Sequence, residues 1–202
     1  MIKLILVILM INYPNKKKTS NIKLSSSANR GMNFELMINQ TNEFYLDNDI
    51  AIIHKKPIPI QIVSVDYRVR SAARITEAYY KLPSTTDYNG IYQGRYIDFE
   101  AKETKSKTSF PIKNIHEHQV THLTRVKEHG AISFIIVYFA LLGRIFLLDS
   151  TYVNEFFQRS KGNKKSISLA EFEKFGHEIK ESYRKPVDYL QVIDEYYLKA
   201  PQ

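Results

Sequence analysis

Thr85-Thr86-Asp87-Tyr88-Asn89-Gly90-Ile91-Tyr92-Gln93-Gly94-Arg95-Tyr96-Ile97-Asp98-Phe99-Glu100-Ala101-Lys102-Glu103-Thr104 is the most informative stretch of the chain. From Ile97 onward it alternates, with Ile97, Phe99 and Ala101 on one face and Asp98, Glu100 and Lys102 on the other, the period of a strand. Two turns compete to fold it into a hairpin. Gln93-Gly94 would place Asp87 directly across from Glu100, with Cβ atoms about 4.5–5.5 Å apart. Asn89-Gly90 has the stronger turn composition and would separate the two acids. In the first register the carboxylates repel unless a cation sits between them, and a hard divalent ion such as Mg²⁺, bound through oxygen, would serve. A solvated edge strand with ordinary ion pairs is the alternative, and both readings stand at this level.

Upstream, Phe34, Met37, Ile38, Thr41, Phe44 and Tyr45 recur at helical spacing and predict a helix over about 30–46, followed by a short strand over 50–54. Pro57 and Pro59 stiffen the next segment, the alternation of Ile58, Ile60, Ile62 and Ser64 predicts an extended arm, and Ser71 to Tyr80 reads as a short helix. Residues 55–81 carry six Lys/Arg against Asp66 and Glu77, a net +4, and are expected to form a protruding element. Downstream, a helix is expected over 114–128, closed by Gly130. Ala131 to Phe139 reads as a central strand with Arg144 to Leu148 as its hairpin partner, and Ser150 to Gln158 as a helix. Lys161-Gly162-Asn163-Lys164-Lys165 forms a basic loop, Ser168 with Glu171 a capping box, and Pro186 the first turn of a last helix to about Leu198. Mixed strands and helices around one apolar strand pair give an α/β (α+β) domain.

With 202 residues, 44% hydrophobic and 25% charged, the chain is long enough for one well-cored domain and too ordinary in composition for wholesale disorder or a coiled coil. Residues 1–28 are expected to be a flexible basic arm and 29–202 a single domain with the insertion at 57–82. The lack of cysteine excludes disulfide scaffolds, thiolate zinc sites and cysteine nucleophiles. A formal charge of +8 favours a polyanionic partner. Met1 to Ile11 is apolar apart from Lys3, but far shorter than the ~20 residues that span a bilayer, so no membrane partner and a cytoplasmic location are expected. His118 and His122 have the i, i+4 spacing of a helical metal pair, with His116 and His129 nearby. Val120 stands where an HExxH motif needs its second histidine, and these side chains read as helix-surface or DNA-proximal groups.

Asp87 followed by Glu100-Ala101-Lys102 is similar to the PD-(D/E)xK nuclease core, departing from it in Thr86, which stands where proline is usual. Longer strings are more specific. Asn29-Arg30-Gly31-Met32-Asn33-Phe34-Glu35, Ile53-His54-Lys55-Lys56-Pro57, Ser84-Thr85-Thr86-Asp87-Tyr88-Asn89-Gly90, Asp98-Phe99-Glu100-Ala101-Lys102-Glu103-Thr104 and Asn114-Ile115-His116-Glu117-His118-Gln119 resemble, in order, the RecU family of Holliday-junction resolvases over about residues 29–150. The resemblance implies a restriction-endonuclease-like mixed sheet flanked by helices, with a stalk from about 57–82. It also implies a homodimer that cuts four-way DNA junctions by paired nicks with Mg²⁺, or Mn²⁺ in its place, in recombination and repair. Recombinase and branch-migration proteins are the implied protein partners. The family's metal ligands fall on Thr85, Asp87, Glu100 and Gln119, and its transition-state stabiliser on Lys102. Arg30, Arg70, Arg74, Tyr79, Tyr80 and Lys81 are candidate DNA contacts, combining stacking faces with phosphate-binding charge. A nuclease for linear duplex and a non-catalytic DNA-binding or recombinase-modulating relative are the alternatives.

Overall fold

The computed structural model describes residues 33–67, 73–81 and 85–199. The basic arm, Arg30 and Arg70 lie outside them. In chain order the elements are α1 (Phe34–Asp47), β1 (Ile52–Lys55), β2 (Ile60–Asp66), β3 (Arg74–Tyr80), β4 (Tyr88–Tyr92), β5 (Arg95–Thr104) and β6 (Ser109–Pro111). After a 3-10 turn come α2 (Glu117–Glu128), β7 (Ile132–Phe139), β8 (Arg144–Asp149), α3 (Ser150–Ser160), β9 (Ser166–Ser168), α4 (Leu169–Phe175), β10 (His177–Ile179) and α5 (Tyr189–Ile193), which runs into a π-helical turn. Among these, no helix is long and apolar enough to cross a membrane.

Six strands form one mixed sheet in the order β1-β4-β5-β7-β8-β10. β5 and β7 are parallel, and α2 makes the crossover between them, while the other neighbours are antiparallel. One sheet face packs on α1 and α5 through Met37, Ile38, Tyr45, Phe99, Phe134 and Tyr189. The opposite face packs on α2, α3 and α4 through Val120, Leu123, Phe146, Phe156 and Phe172. β7 lies between both layers, which is why its run is apolar without alternation. The mixed sheet flanked by helices, expected from the pattern and from the resemblance, is what the chain forms.

The hairpin turns at Gln93-Gly94, whose φ values of 47° and 72° suit a tight two-residue connection. Asn89-Gly90 lies inside β4 instead. A Cβ on Gly90 would stand 2.1 Å from the Ile52 carbonyl oxygen, so the glycine serves the close approach of β1 rather than a turn. Tyr88, Phe99 and Phe134 stack across three strands at centroid spacings of 4.9 and 5.0 Å and hold the hairpin to the core.

Three local expectations are corrected. Residues 74–80 are strand, not the expected short helix: β3 pairs with β2 in a separate two-stranded sheet. Ile75, Thr76, Tyr79 and Tyr80 favour a pleated backbone, and a short isolated helix there would have no apolar face to bury. Pro186 does not open the last helix, which begins at Tyr189. The Val187 N–H donates instead to Thr41 Oγ1 (3.1 Å), docking the preceding turn onto α1. Similarly, α2 begins at Glu117, after a 3-10 turn over Ile112–Asn114, rather than at 114.

Candidate active site

Asp98, Glu100 and Lys102 project from β5 on the face covered by α2, and the register of the hairpin (Tyr88 opposite Phe99) brings Asp87, at the entrance to β4, beside Glu100. Asp87 Oδ2 accepts the Ala101 N–H (3.1 Å), a main-chain bond that fixes its carboxylate against β5. Glu100 is 1% exposed. Its Oε1 accepts from Lys102 Nζ (2.7 Å) and from Gln119 Nε2 (2.8 Å). Its Oε2 is buried with no hydrogen-bond donor. Burial, and then the charge of Asp87, push the Glu100 carboxyl up to about 7, with Lys102 only partly opposing them.

Gln119 enters the site because α2 needs it at its own N-terminus. Its Oε1 accepts the His116 N–H (3.0 Å) in a capping box, leaving the amide N–H for Glu100. The N–H of His116 requires an acceptor, and an ionised Glu100 requires a donor, so this orientation of the amide is chemically determined. Thr85 lies at the mouth, where its Oγ1 takes a 3.3 Å contact from Lys56 Nζ. The structure thus brings Thr85, Asp87, Glu100, Lys102 and Gln119 into one neighbourhood.

A second group of polar side chains adjoins this one, and sequence reasoning did not single it out. Asp98 is fully buried and accepts from Lys56 Nζ (2.8 Å), Tyr96 OH (3.0 Å) and Thr86 Oγ1, with His122 Nε2 at 3.0 Å. The signals were present: alternation puts Asp98 on the Glu100 face, and His122 follows Gln119 by three residues on α2. His116 and His118 instead stack on each other (5.4 Å). Among the described residues no cluster of three or more His, Asp or Glu side chains has the placement of a metal site. Any metal here would rest on two carboxylates supplemented by neutral oxygens or water. The unpartnered Oε2 and the repulsion between Asp87 and Glu100 fit such an ion, since a hard cation relieves both.

Glu35 pairs with Lys55 (2.5 Å) and shares a cavity of about 170 Å³ with Asp87 and Glu103. Arg74, Tyr79, Tyr80 and Lys81 lie on or at the end of β3 and are exposed, with Tyr80 at 81%. Of the basic loop, Lys161 pairs with Glu117 and Lys164 with Glu171, so part of its charge is answered within the chain.

The family model described as Recombination protein U, RecU, matches residues 29–195. A Holliday junction resolvase RecU of Geobacillus sp. (strain WCH70) is 48% identical, covering 94% of this chain and 98% of its own length. The protein of the same name from Bacillus cereus (strain G9842) is 47% identical, covering 93% and 98%. That of Geobacillus kaustophilus (strain HTA426) is 50% identical, covering 91% and 92%. Among solved structures, Hjc, a Holliday junction resolvase of the archaeal hyperthermophile Archaeoglobus fulgidus, is 12% identical and covers 71% of this chain and 94% of its own, with a TM-score of 0.40. That overlap is too loose to add to the assignment. On the strength of the family model and near-complete alignment with these relatives, the chain belongs to the RecU family of recombination proteins.

Proposed function

We propose that this chain resolves Holliday junctions in homologous recombination and repair by divalent-metal-dependent hydrolysis, cutting two strands symmetrically near the crossover. The observation that carries the catalytic part is the buried Glu100 carboxylate with one unpartnered oxygen, beside Asp87 and bonded to Lys102. The names of its relatives supply the junction as substrate.

Asp87 and Glu100 would hold the ion, Mg²⁺ or Mn²⁺, with Thr85 and Gln119 at the rim of the site. When bound, such an ion neutralises a non-bridging phosphate oxygen and lowers the pKa of its water. The rest is the work of the chain. Gln119 holds Glu100 by its amide N–H, keeping Oε1 engaged and Oε2 free for a cation. The Ala101 N–H holds Asp87 in register with it. Lys102, partly exposed and anchored by Glu100, is a compact charge that can meet the phosphate and stabilise negative charge as it accumulates. Tyr79, Tyr80, Arg74 and Lys81 would contact the open centre of the junction from the two-stranded sheet, acting as a stalk, with Arg30 and Arg70 adding phosphate contacts. A homodimer would present two such sites to the two-fold junction, in the cytoplasm, alongside recombinase and branch-migration proteins.

The test is cleavage of a synthetic four-way junction and a matched linear duplex with Mg²⁺, comparing wild type with Asp87→Ala. Paired nicks in the junction alone, lost in the variant, are expected. Equal cutting of the duplex would make the chain a general nuclease. Junction binding without Asp87-dependent cutting at any metal concentration would make it a DNA-binding relative.

A further inference from the structure

We infer that Lys56 and Asp98 form a positioning clamp that aligns Asp87 with Glu100. The inference rests on the metal-site reading above and extends it to residues outside the proposed ligand set.

Thr85 to Asp87, which lead into β4, belong to neither helix nor strand. Lys56, just past the end of β1, holds them at three points. Its backbone N–H donates to the Asp87 carbonyl (2.7 Å), and its ammonium donates to Thr86 Oγ1 (2.5 Å) and approaches Thr85 Oγ1 at 3.3 Å. The ammonium's remaining bond goes to Asp98 Oδ2 (2.8 Å). Asp98 sits two residues before Glu100, on the same face of the rigid strand β5, so the clamp spans from one proposed ligand strand to the other. Asp98 is itself over-determined: Tyr96 OH, Thr86 Oγ1 and His122 Nε2 converge on it from β5, the Thr85–Asp87 segment and α2. Asn89 Nδ2 in turn holds the Tyr96 hydroxyl (2.9 Å).

A lysine that spends its hydrogen bonds on two threonines and a buried carboxylate is not free to bind phosphate. Its geometry serves the loop instead. A cation that bridges Asp87 and Glu100 needs both carboxylates preset in distance and direction, and groups outside the ligand set commonly supply that order.

The test is Mn²⁺ binding to the DNA-free protein, followed by electron paramagnetic resonance, together with thermal melting. The variants are Lys56→Met, Asp98→Asn and the two combined. Each single change leaves a buried charge short of its partner, whereas the double variant removes both charges and should recover most of the melting temperature. Metal affinity should fall about tenfold in Lys56→Met and stay low in the double variant. Lys56→Arg, which keeps the charge and several donors, should recover part of it. Affinity that returns with the melting temperature in the double variant, or that never falls, would overturn the clamp. Asp87→Asn separates the two levels of argument. If wild type and Asp87→Asn bind Mn²⁺ alike, the metal-site reading fails and the clamp with it. If Asp87→Asn loses the ion while Lys56→Met keeps it, the clamp alone fails.

Discussion

Replacing Glu100 with glutamine should abolish cleavage and, in the absence of metal, make the protein's stability less sensitive to pH. In the wild type the carboxyl is raised from 4.5 to about 7, by burial first and by Asp87 second. The folded state therefore holds this proton more tightly than the unfolded chain. The contribution is fully present below about pH 4.5 and is lost as pH rises toward about 7. At about 1.4 kcal/mol per pKa unit, a shift of this size means about 3 kcal/mol of metal-free stability given up by pH 8. The substituted amide would keep an oxygen for Gln119 and Lys102 and offer an N–H in place of the unpartnered Oε2, beside Asp87. Guanidinium denaturation in EDTA at several values between pH 4.5 and 8 measures the effect. The stability of Glu100→Gln relative to wild type should rise by about 3 kcal/mol across that range, and Mg²⁺ should narrow the gap by stabilising the wild type alone. A gap that stays flat with pH would refute the reasoning, because Glu100 would then carry no strain as an anion.

Three further outcomes follow from the geometry. Gly90→Ala should destabilise the fold by more than about 3 kcal/mol in urea denaturation, because its Cβ would meet the backbone of β1 rather than a movable side chain. Asp149 caps α3 through the Thr151 N–H (2.8 Å) and also takes Tyr197 OH (2.9 Å) and Lys127. Burial pushes this carboxyl up, but the bonds from Lys127 and Thr151 and the charge of Lys127 outweigh it and hold it below the ordinary 3.8. Asp149→Ala should therefore cost at least about 1–2 kcal/mol at pH 7, and the loss should shrink as pH falls below 3.8, where the wild-type advantage titrates away. Tyr79→Ala with Tyr80→Ala should leave the melting temperature nearly unchanged, since both side chains are exposed, yet weaken junction binding in a gel-shift titration by about tenfold or more.

Pattern alone was enough wherever a residue needs only its near neighbours. Period-2 alternation places Asp98, Glu100 and Lys102 on one face, the nearly continuous apolar run of β7 marks the strand buried on both sides, and Ser168 with Glu171 forms the capping box expected of it. The choice between turns is different. Asn89-Gly90 has the better turn composition, but Gly90 is required by the close passage of β1, which lies far back along the chain. Residues 74–80 read as helix in isolation because what makes them a strand is pairing with β2, a separate run earlier in the sequence. The same limit hides the Lys56–Asp98 network: charge and alternation mark each residue, but nothing in spacing says that a lysine after β1 and an aspartate in β5 share one bond. Residue order therefore settles the chemistry available and the strand face that carries it. Which of those groups meet is settled in three dimensions, because burial and partner geometry, rather than residue type, leave Glu100 with one oxygen free.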